Sequence, residues 1–253
     1  MVRAGEIEHG AAIADRAETV WNWSSPAGQQ RAARRAALVT KAAGLSPDTY
    51  VLELGCGTGL FTRHFATVGC RLVAIDVSPE LLERAQTKSR SEYVEFRLAD
   101  AEQLPFDGAT FDAVVGSSII HHLDVRLALR EIHRVLKPSG RLAFAEPNML
   151  NPQIALQRKV PWLRRWAGES PEETAFVRWK LARELRRAGF SEIRIEPFDF
   201  LHPGVPRTLI GAVQGIGGVL ERLPAVREIA GSLIISAQRP MEKVVSVALG
   251  ATK

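Results

Sequence analysis

Two cysteines, Cys56 and Cys70, are all that the 253 residues contain, and neither stands in a CxxC pair or at a Cys/His ligand spacing. That scarcity excludes a disulfide framework and a zinc site, and the compartment it implies is a reducing cytoplasm. A long apolar run is missing too. The most apolar late stretch, Thr208 to Leu220, is broken by Gln214 and four glycines and falls short of the ~20 residues that span a bilayer. The opening MVRAGEIEHGAAIADRAE is charged throughout and lacks the apolar segment of a secretory signal. There is no internal repeat, no low-complexity tract and no isolated Lys/Arg block. The formal net charge of +5 is therefore diffuse: it leans mildly toward acidic partners and lays no phosphate track.

What is present is ample apolar material, 46% of the residues, enough for one sizeable core. Residues Gly10 to Ala43 read as a helical, Arg-studded segment closed by Gly44, an appendage before the first strand. From Tyr50 short apolar runs (YVLEL, CRLVAID, YVEFRL, FDAVVG, RLAFAE) alternate with helical patterns. One of these, SPELLERAQTKSR, has Ser78 as N-cap and Pro79 at its first position; another, DVRLALREIHRVLKPSG, is terminated by Lys137, Pro138 and Gly140. Strands alternating with helices predict a parallel sheet covered on both faces. The alternation pauses after Glu146, resumes with ETAFVRWKLARELRRAGF and EIRIEPF, pauses again from His202 to Ala230, and ends with the strand GSLIISAQ. The division expected is a helical cap, 1–48, and an α/β domain, 49–253, with substrate-cap inserts at about 147–175 and 202–230.

The densest chemistry lies at Glu53-Leu54-Gly55-Cys56-Gly57-Thr58-Gly59, which ends the first strand and opens the next helix. Glycines there let the backbone turn sharply and approach a ligand, at the crevice where open α/β sheets bind cofactors. A dinucleotide fingerprint needs a further glycine at position 60, and that residue is Leu60. Glu53 before the loop, Asp76 closing the second strand and Asp100 after the third bring three carboxylates to one edge of the sheet. Diphosphate would find a poor lining there, whereas the sulfonium, ammonium and ribose diol of S-adenosylmethionine suit carboxylates.

The stretches VLELGCGTGLFT, VAIDVSPELLERA, ADAEQLPF, FDAVVGSSIIHHL and LREIHRVLKPSGRLAFAEPN, from Tyr50 to Asn148, together resemble the class I S-adenosylmethionine-dependent methyltransferases, near the ubiquinone/menaquinone-biosynthesis type. The resemblance implies a Rossmann-like three-layer α/β/α sandwich with a seven-stranded, mostly parallel sheet in the order 3-2-1-4-5-7-6, the last strand antiparallel. It also implies a cofactor site: Glu53, Gly55, Cys56, Gly57, Thr58 and Gly59 around the methionine moiety, Asp76 with Val77 at the ribose, and Asp100, Ala101 and Glu102 at the adenine. Ser117 would contact the methionine part from the other side.

Methyl transfer needs a nucleophile held in line in a dry cavity, and no metal. A hydroxyl or activated-carbon acceptor gains from a base. Tyr50 and Tyr93 fall at the far ends of their strands, which leaves His121, His122 and His202 as candidates, one of the His121–His122 pair pointing to the cleft. Glu146 reads as a positioning carboxylate or cap partner. In the segment KVPWLRRWAGESPEETAFVRWKLARELRRAGF, Trp162, Trp166, Phe176 and Trp179 interleave with Lys159, Arg164, Arg165, Arg178, Lys180 and Arg183, which suits an anionic aromatic or lipid acceptor, single-stranded nucleic acid, or a solvated cap helix. Leu209, Val213, Ile216, Leu220 and Leu223 fall near one helical face within 206–223, a cap helix, a homodimer surface or a peripheral membrane contact. Trp21 and Trp23 form an aromatic lid or pack into the core. The function expected is O- or C-methylation of a small-molecule or lipid-like acceptor by a cytoplasmic monomer or homodimer. GSSIIHHL lacks the [DNS]PP[YFW] and Pro-Cys elements of nucleic-acid enzymes, so an RNA methyltransferase stands as the alternative, beside a non-catalytic S-adenosylmethionine-binding protein.

Overall fold

The computed structural model of the chain describes residues 4–89, 91–159 and 176–241. Trp162, Arg164, Arg165, Trp166 and the Lys159 side chain lie outside them. Among the described residues seven strands, β1 (Tyr50–Leu54), β2 (Arg71–Asp76), β3 (Val94–Leu98), β4 (Phe111–Ser117), β5 (Leu136–Pro147), β6 (Ser191–Phe198) and β7 (Ser232–Gln238), form one sheet in the order β3-β2-β1-β4-β5-β7-β6. All neighbours pair in parallel except β7, which runs antiparallel to both β5 and β6. This is the expected topology. Val51, Leu52, Leu54, Val114, Val115 and Phe144 are fully buried, as central parallel strands covered on both faces must be.

The helical reading needs correction at several points. Residues 10–43 are not one helix but α1 (Ala4–Ile13), α2 (Ala17–Val20) and α3 (Pro26–Ala43). Asn22 adopts a left-handed φ of 61°, Ser25 caps α3 by accepting from Gly28 N at 3.0 Å, and Pro26 has no N–H to continue a preceding helix. Nor is α3 an appendage, since Ala32, Ala36, Val39 and Ala43 share one hydrophobic cluster with Val51, Phe65, Ala113, Ala143 and Phe198. Between them lie α4 (Leu60–Ala66), α5 (Pro79–Lys88) and α6 (Val125–Val135). The last of these stops before Lys137-Pro138-Ser139-Gly140, because Leu136 is already extended and pairs with Phe111 at the start of β5.

After β5 come α7 (Pro152–Lys159) and α8 (Arg178–Arg187). Of the helix expected over ETAFVRWKLARELRRAGF, the described residues are helical from Arg178, because Phe176 is drawn into a bridge with Asn148. The stretch 202–230 is not irregular: it holds a 3-10 turn (Arg207–Leu209), α9 (Ile210–Leu220) and α10 (Pro224–Arg227). Ser232 pairs with both Pro147 and Phe198. The reversed β7 therefore delivers residues 199–231 to the carboxyl-terminal edge of the parallel strands, where open α/β sheets bind ligands. Among the described residues no helix is long and apolar enough to cross a membrane.

Candidate active site

The turn after β1 is shaped by three glycines in the left-handed region, Gly55 at φ 63°, Gly57 at 52° and Gly59 at 77°, a conformation that costs other L-residues ~1–2 kcal/mol. Space forbids side chains as well: a Cβ on Gly55 would lie 2.5 Å from Ile119 Cδ1, and one on Gly57 would lie 3.2 Å from the Trp21 ring. Asp76, at the tip of β2, accepts from Gly57 N at 2.8 Å and from Ser78 N at 3.0 Å. One carboxylate thus ties the glycine turn to the start of α5. Burial raises its pKa, against the pull of the Ser78, Gly57 and Val77 N–H groups.

Facing this turn is a cavity of about 320 Å³, within the range of small-molecule sites. Four carboxylates, Glu6, Asp76, Asp100 and Glu102, line it, and no Lys or Arg is among the described lining residues. Asp100 accepts from Glu102 N at 2.8 Å, and Glu102 accepts from Asp124 N at 2.7 Å, so both acids are held by backbone. Beneath the turn Glu53 is 1% exposed and its Oε2 has no hydrogen-bond partner among the described residues. Burial pushes this carboxyl up to about 8; the Thr62 hydroxyl opposes the shift and the Asp76 charge adds to it. A buried acid short of a partner, a bare glycine turn and an acidic lining fit S-adenosylmethionine. They do not fit a diphosphate.

The opposite wall is built after β4. Glu146, fully buried at the end of β5, accepts from Ile119 N at 3.0 Å and Ile120 N at 2.9 Å through Oε1, and from His121 Nδ1 at 2.6 Å through Oε2. Burial alone would raise the Glu146 pKa, but His121 and the two N–H groups outweigh it and hold the carboxylate below its ordinary range. His122 stacks on His121 with ring centroids 4.1 Å apart, and its Nδ1 lies 3.3 Å from Glu6 Oε1 of α1. Both histidines line the cavity, which corrects the expectation that only one faces the cleft.

Behind Ser117 and Ser118 lies Arg35 of α3, 3% exposed. It donates to Ser118 Oγ at 3.1 Å, more weakly to Ser117 Oγ at 3.4 Å, and to Ser232 Oγ. Burial, with the Arg31 charge adding, pulls its pKa down to about 10. The amino-terminal helices close the cavity: Glu18 Oε1 accepts from Thr58 Oγ1 at 2.9 Å and from Lys88 Nζ at 2.6 Å, and Asp15 pairs with Arg84. Trp21 and Trp23 both line the cavity. Trp23 also packs edge-on against Phe61 at 5.5 Å, so it serves core and wall together.

The cavity brings together Gly55, Cys56, Gly57, Thr58, Asp76, Val77, Asp100, Ala101, Glu102, Ser117, His121 and His122. Four residues singled out from the sequence are not on its lining, among them Glu146, buried behind His121. Glu53 is buried beneath it, and Gly59 faces inward, where a Cβ would lie 3.1 Å from Ala85. His202 stands apart on an exposed loop, 2.9 Å from Gln153 Nε2 and accepting from Gly204 N at 3.0 Å; the mouth expected for it lies at Pro147 and the histidine pair instead. Sequence reasoning missed Arg35, which looked like one of several surface cations, and Glu6 and His9, on a helix whose first turn carried no distinguishing motif.

A methyltransferase-domain family matches residues 52–144. The chain is 34% identical over 166 residues to a demethylmenaquinone methyltransferase of Corynebacterium urealyticum, covering 59% of this chain and 70% of that protein. It is 33% identical over 183 residues to the O-methyltransferase cnsE of Penicillium expansum, covering 68% of this chain and 64% of that one. Several curated relatives are matched over less than two thirds of their length, as with a malonyl-[acyl-carrier protein] O-methyltransferase of Herminiimonas arsenicoxydans, 43% of which is covered. Among solved structures, the methyltransferase in the complex with the Haloferax volcanii Trm112 methyltransferase activator superposes with a TM-score of 0.67 at 20% identity, covering 95% of this chain and 100% of that one, a likeness of fold. Sheet order, glycine turn, acidic lining and relatives converge: the chain belongs to the class I S-adenosylmethionine-dependent methyltransferases.

Proposed function

We propose that this chain transfers a methyl group to an oxygen or carbon of a small-molecule or lipid-like acceptor by in-line displacement. The observation that carries the reading is a single cavity of about 320 Å³ with carboxylates on one wall and the His121–Glu146 pair on the other. S-adenosylmethionine, when bound, supplies an electrophilic methyl carbon. The residues do the rest. Gly55 and Gly57 admit the ligand to the backbone, Asp76 offers oxygen lone pairs to a diol, and Asp100 and Glu102 flank the adenine side. Thr58, tied to Glu18 on α2, and Trp21 on the lid side exclude water, which strengthens every electrostatic interaction inside.

His121 is the base this reading assigns. Because its Nδ1 is engaged by the Glu146 carboxylate at 2.6 Å, the neutral ring carries its lone pair on Nε2, the arrangement in which an imidazole accepts a proton from an acceptor group. Glu146 acts through it as a positioning residue and stabilises the imidazolium once formed. His122, next to it and to Glu6, contacts the acceptor. Of the two inserts, the described residues 147–159 and 202–230 form the acceptor's side of the site. A nucleic-acid acceptor fits less well, because the described lining offers no cation to a phosphate.

Labelled S-adenosylmethionine offered with quinone precursors, lipid extracts and tRNA tests the proposal. Label entering an organic-soluble product supports it, label entering RNA refutes it, and no transfer to any of the three, with the cofactor bound, leaves a binding protein.

A further inference from the structure

Helix α9 is apolar on two sides. Ile210, Val213, Gly217 and Leu220, spaced by three and four residues, form its inner stripe: Ile210 and Gly217 are buried and Val213 and Leu220 half-buried. Ile210 and Val213 pack with Ala27 and Leu201, and Gly217 approaches Phe200. A second stripe, offset by one position, comprises Leu209, Ala212, Ile216, Val219 and Leu223, all exposed. Ile216 is 61% exposed and Val219 56%. A helix with apolar residues all round belongs in an interior, and here one side faces outward. The single face expected for Leu209, Val213, Ile216, Leu220 and Leu223 is thus split between core and surface.

Charge says what covers the outer stripe. Arg207 and Arg222, exposed at its two ends, form no ion pair among the described residues. Among the described residues the acids of this segment are taken: Glu221 by Arg34 at 2.6 Å and Glu228 by Arg178 at 2.9 Å. A second copy docking on this stripe about a two-fold axis would set arginine against arginine whichever way the helices ran, whereas an anionic surface would meet both arginines favourably. Fold placement agrees. The 199–231 segment lies on the same sheet edge as Pro147, which lines the cavity.

We infer that α9, with the flanking Arg207 and Arg222, seats the protein on an anionic lipid bilayer through Leu209, Ile216, Val219 and Leu223. The contact lies in the interface plane and does not span it. It brings the cavity edge to the membrane, which admits a lipid-like acceptor without passage through water. The inference rests on the exposed stripe and its charges and stands whether or not methyl transfer is found.

Co-sedimentation of the full chain with vesicles of phosphatidylglycerol and phosphatidylcholine, against pure phosphatidylcholine, tests it. Binding is expected to the anionic vesicles and to weaken with salt. Arg207→Gln and Arg222→Gln should each lower the partition coefficient about fivefold. Ile216→Asp and Val219→Asp, at positions open to solvent, should lower it more than tenfold while leaving circular dichroism and cofactor affinity unchanged. Equal partition into both vesicle types, indifference to the four substitutions, or no binding at all would overturn the inference. So would a dimer in light scattering that Ile216→Asp dissolves, because the stripe would then belong to a second copy.

Discussion

Cofactor binding is expected to release a proton from Glu53, and the size of the effect can be worked out. Its carboxyl is fully buried and titrates near 8 rather than at 4.5, so at pH 7 about nine-tenths of the ligand-free protein carries the proton there. A unit cation seated on the adjoining Gly55–Gly57 turn, ~6 Å away at an effective dielectric of ~20, favours the ionised form by about 3 kcal/mol, or ~2 pKa units. The bound-state value falls to about 6, and binding at pH 7 releases about 0.8 proton. Affinity should then tighten about fivefold between pH 6 and 7. Above that range the ligand's own ammonium, with an ordinary value near 8, begins to titrate. Calorimetry in buffers of different ionisation enthalpy counts the proton directly. Glu53→Gln should abolish the release and flatten the pH dependence. Folding supplies a second readout. An acid whose folded value is raised has its full stabilising effect below about 4.5 and loses it progressively up to about 8, so Glu53→Gln should stabilise the ligand-free protein by about 3 kcal/mol at pH 7. A wild-type affinity flat from pH 5.5 to 7.5, with no buffer-dependent heat, would refute the reasoning.

Asp76→Ala removes the oxygens that hold Gly57 N and Ser78 N and face the cavity, and should weaken S-adenosylmethionine binding by about 1.5–3 kcal/mol, roughly 10- to 100-fold in Kd by calorimetry; unchanged affinity contradicts it. Gly55→Ala places a methyl group 2.5 Å from Ile119 Cδ1 at a φ of 63°. It should cost about 2–4 kcal/mol and lower Tm by roughly 5–15 °C in a scanning experiment that a wild-type Tm would fail. Glu146→Gln should keep cofactor affinity but lower kcat on the order of 100-fold or more, with an altered pH–rate profile; a proportional loss of both marks a merely structural role. His122→Ala should likewise lower turnover more than cofactor affinity, and equal losses would move it to the cofactor side.

The sheet and its cofactor edge were legible because they depend on local signals. Strand runs such as LVAI and AVVG are apolar throughout, glycines mark the turn, Asp76 ends its strand and Asp100 follows the next; each is read within a few residues. The boundaries that slipped depend on tertiary partners. Leu136 leaves a good helical pattern because Phe111 offers a strand to pair with, and Phe176 leaves another for Asn148. The far wall was half legible. Residues 119–122 and Glu146 could be named, but that one carboxylate would hold two backbone N–H groups and a histidine ring follows from β4 and β5 lying side by side, which no spacing encodes. Arg35 was opaque for the same reason: within α3 it is one of three arginines in five positions, and only the packed sheet distinguishes it. His202 misled because nearness to the mouth was inferred from chain order, and a loop of that length can turn away.

The guanidinium of Arg35 spans a boundary that the sequence draws between an amino-terminal segment and the sheet. It arrives from a helix that precedes every strand, yet the hydroxyls it holds belong to the ends of β4 and β7, more than eighty residues downstream in one case and nearly two hundred in the other. Cutting the chain before Tyr50 would leave a void beside three serines in the middle of the molecule, so the last of the described strands is completed by one of the first helices.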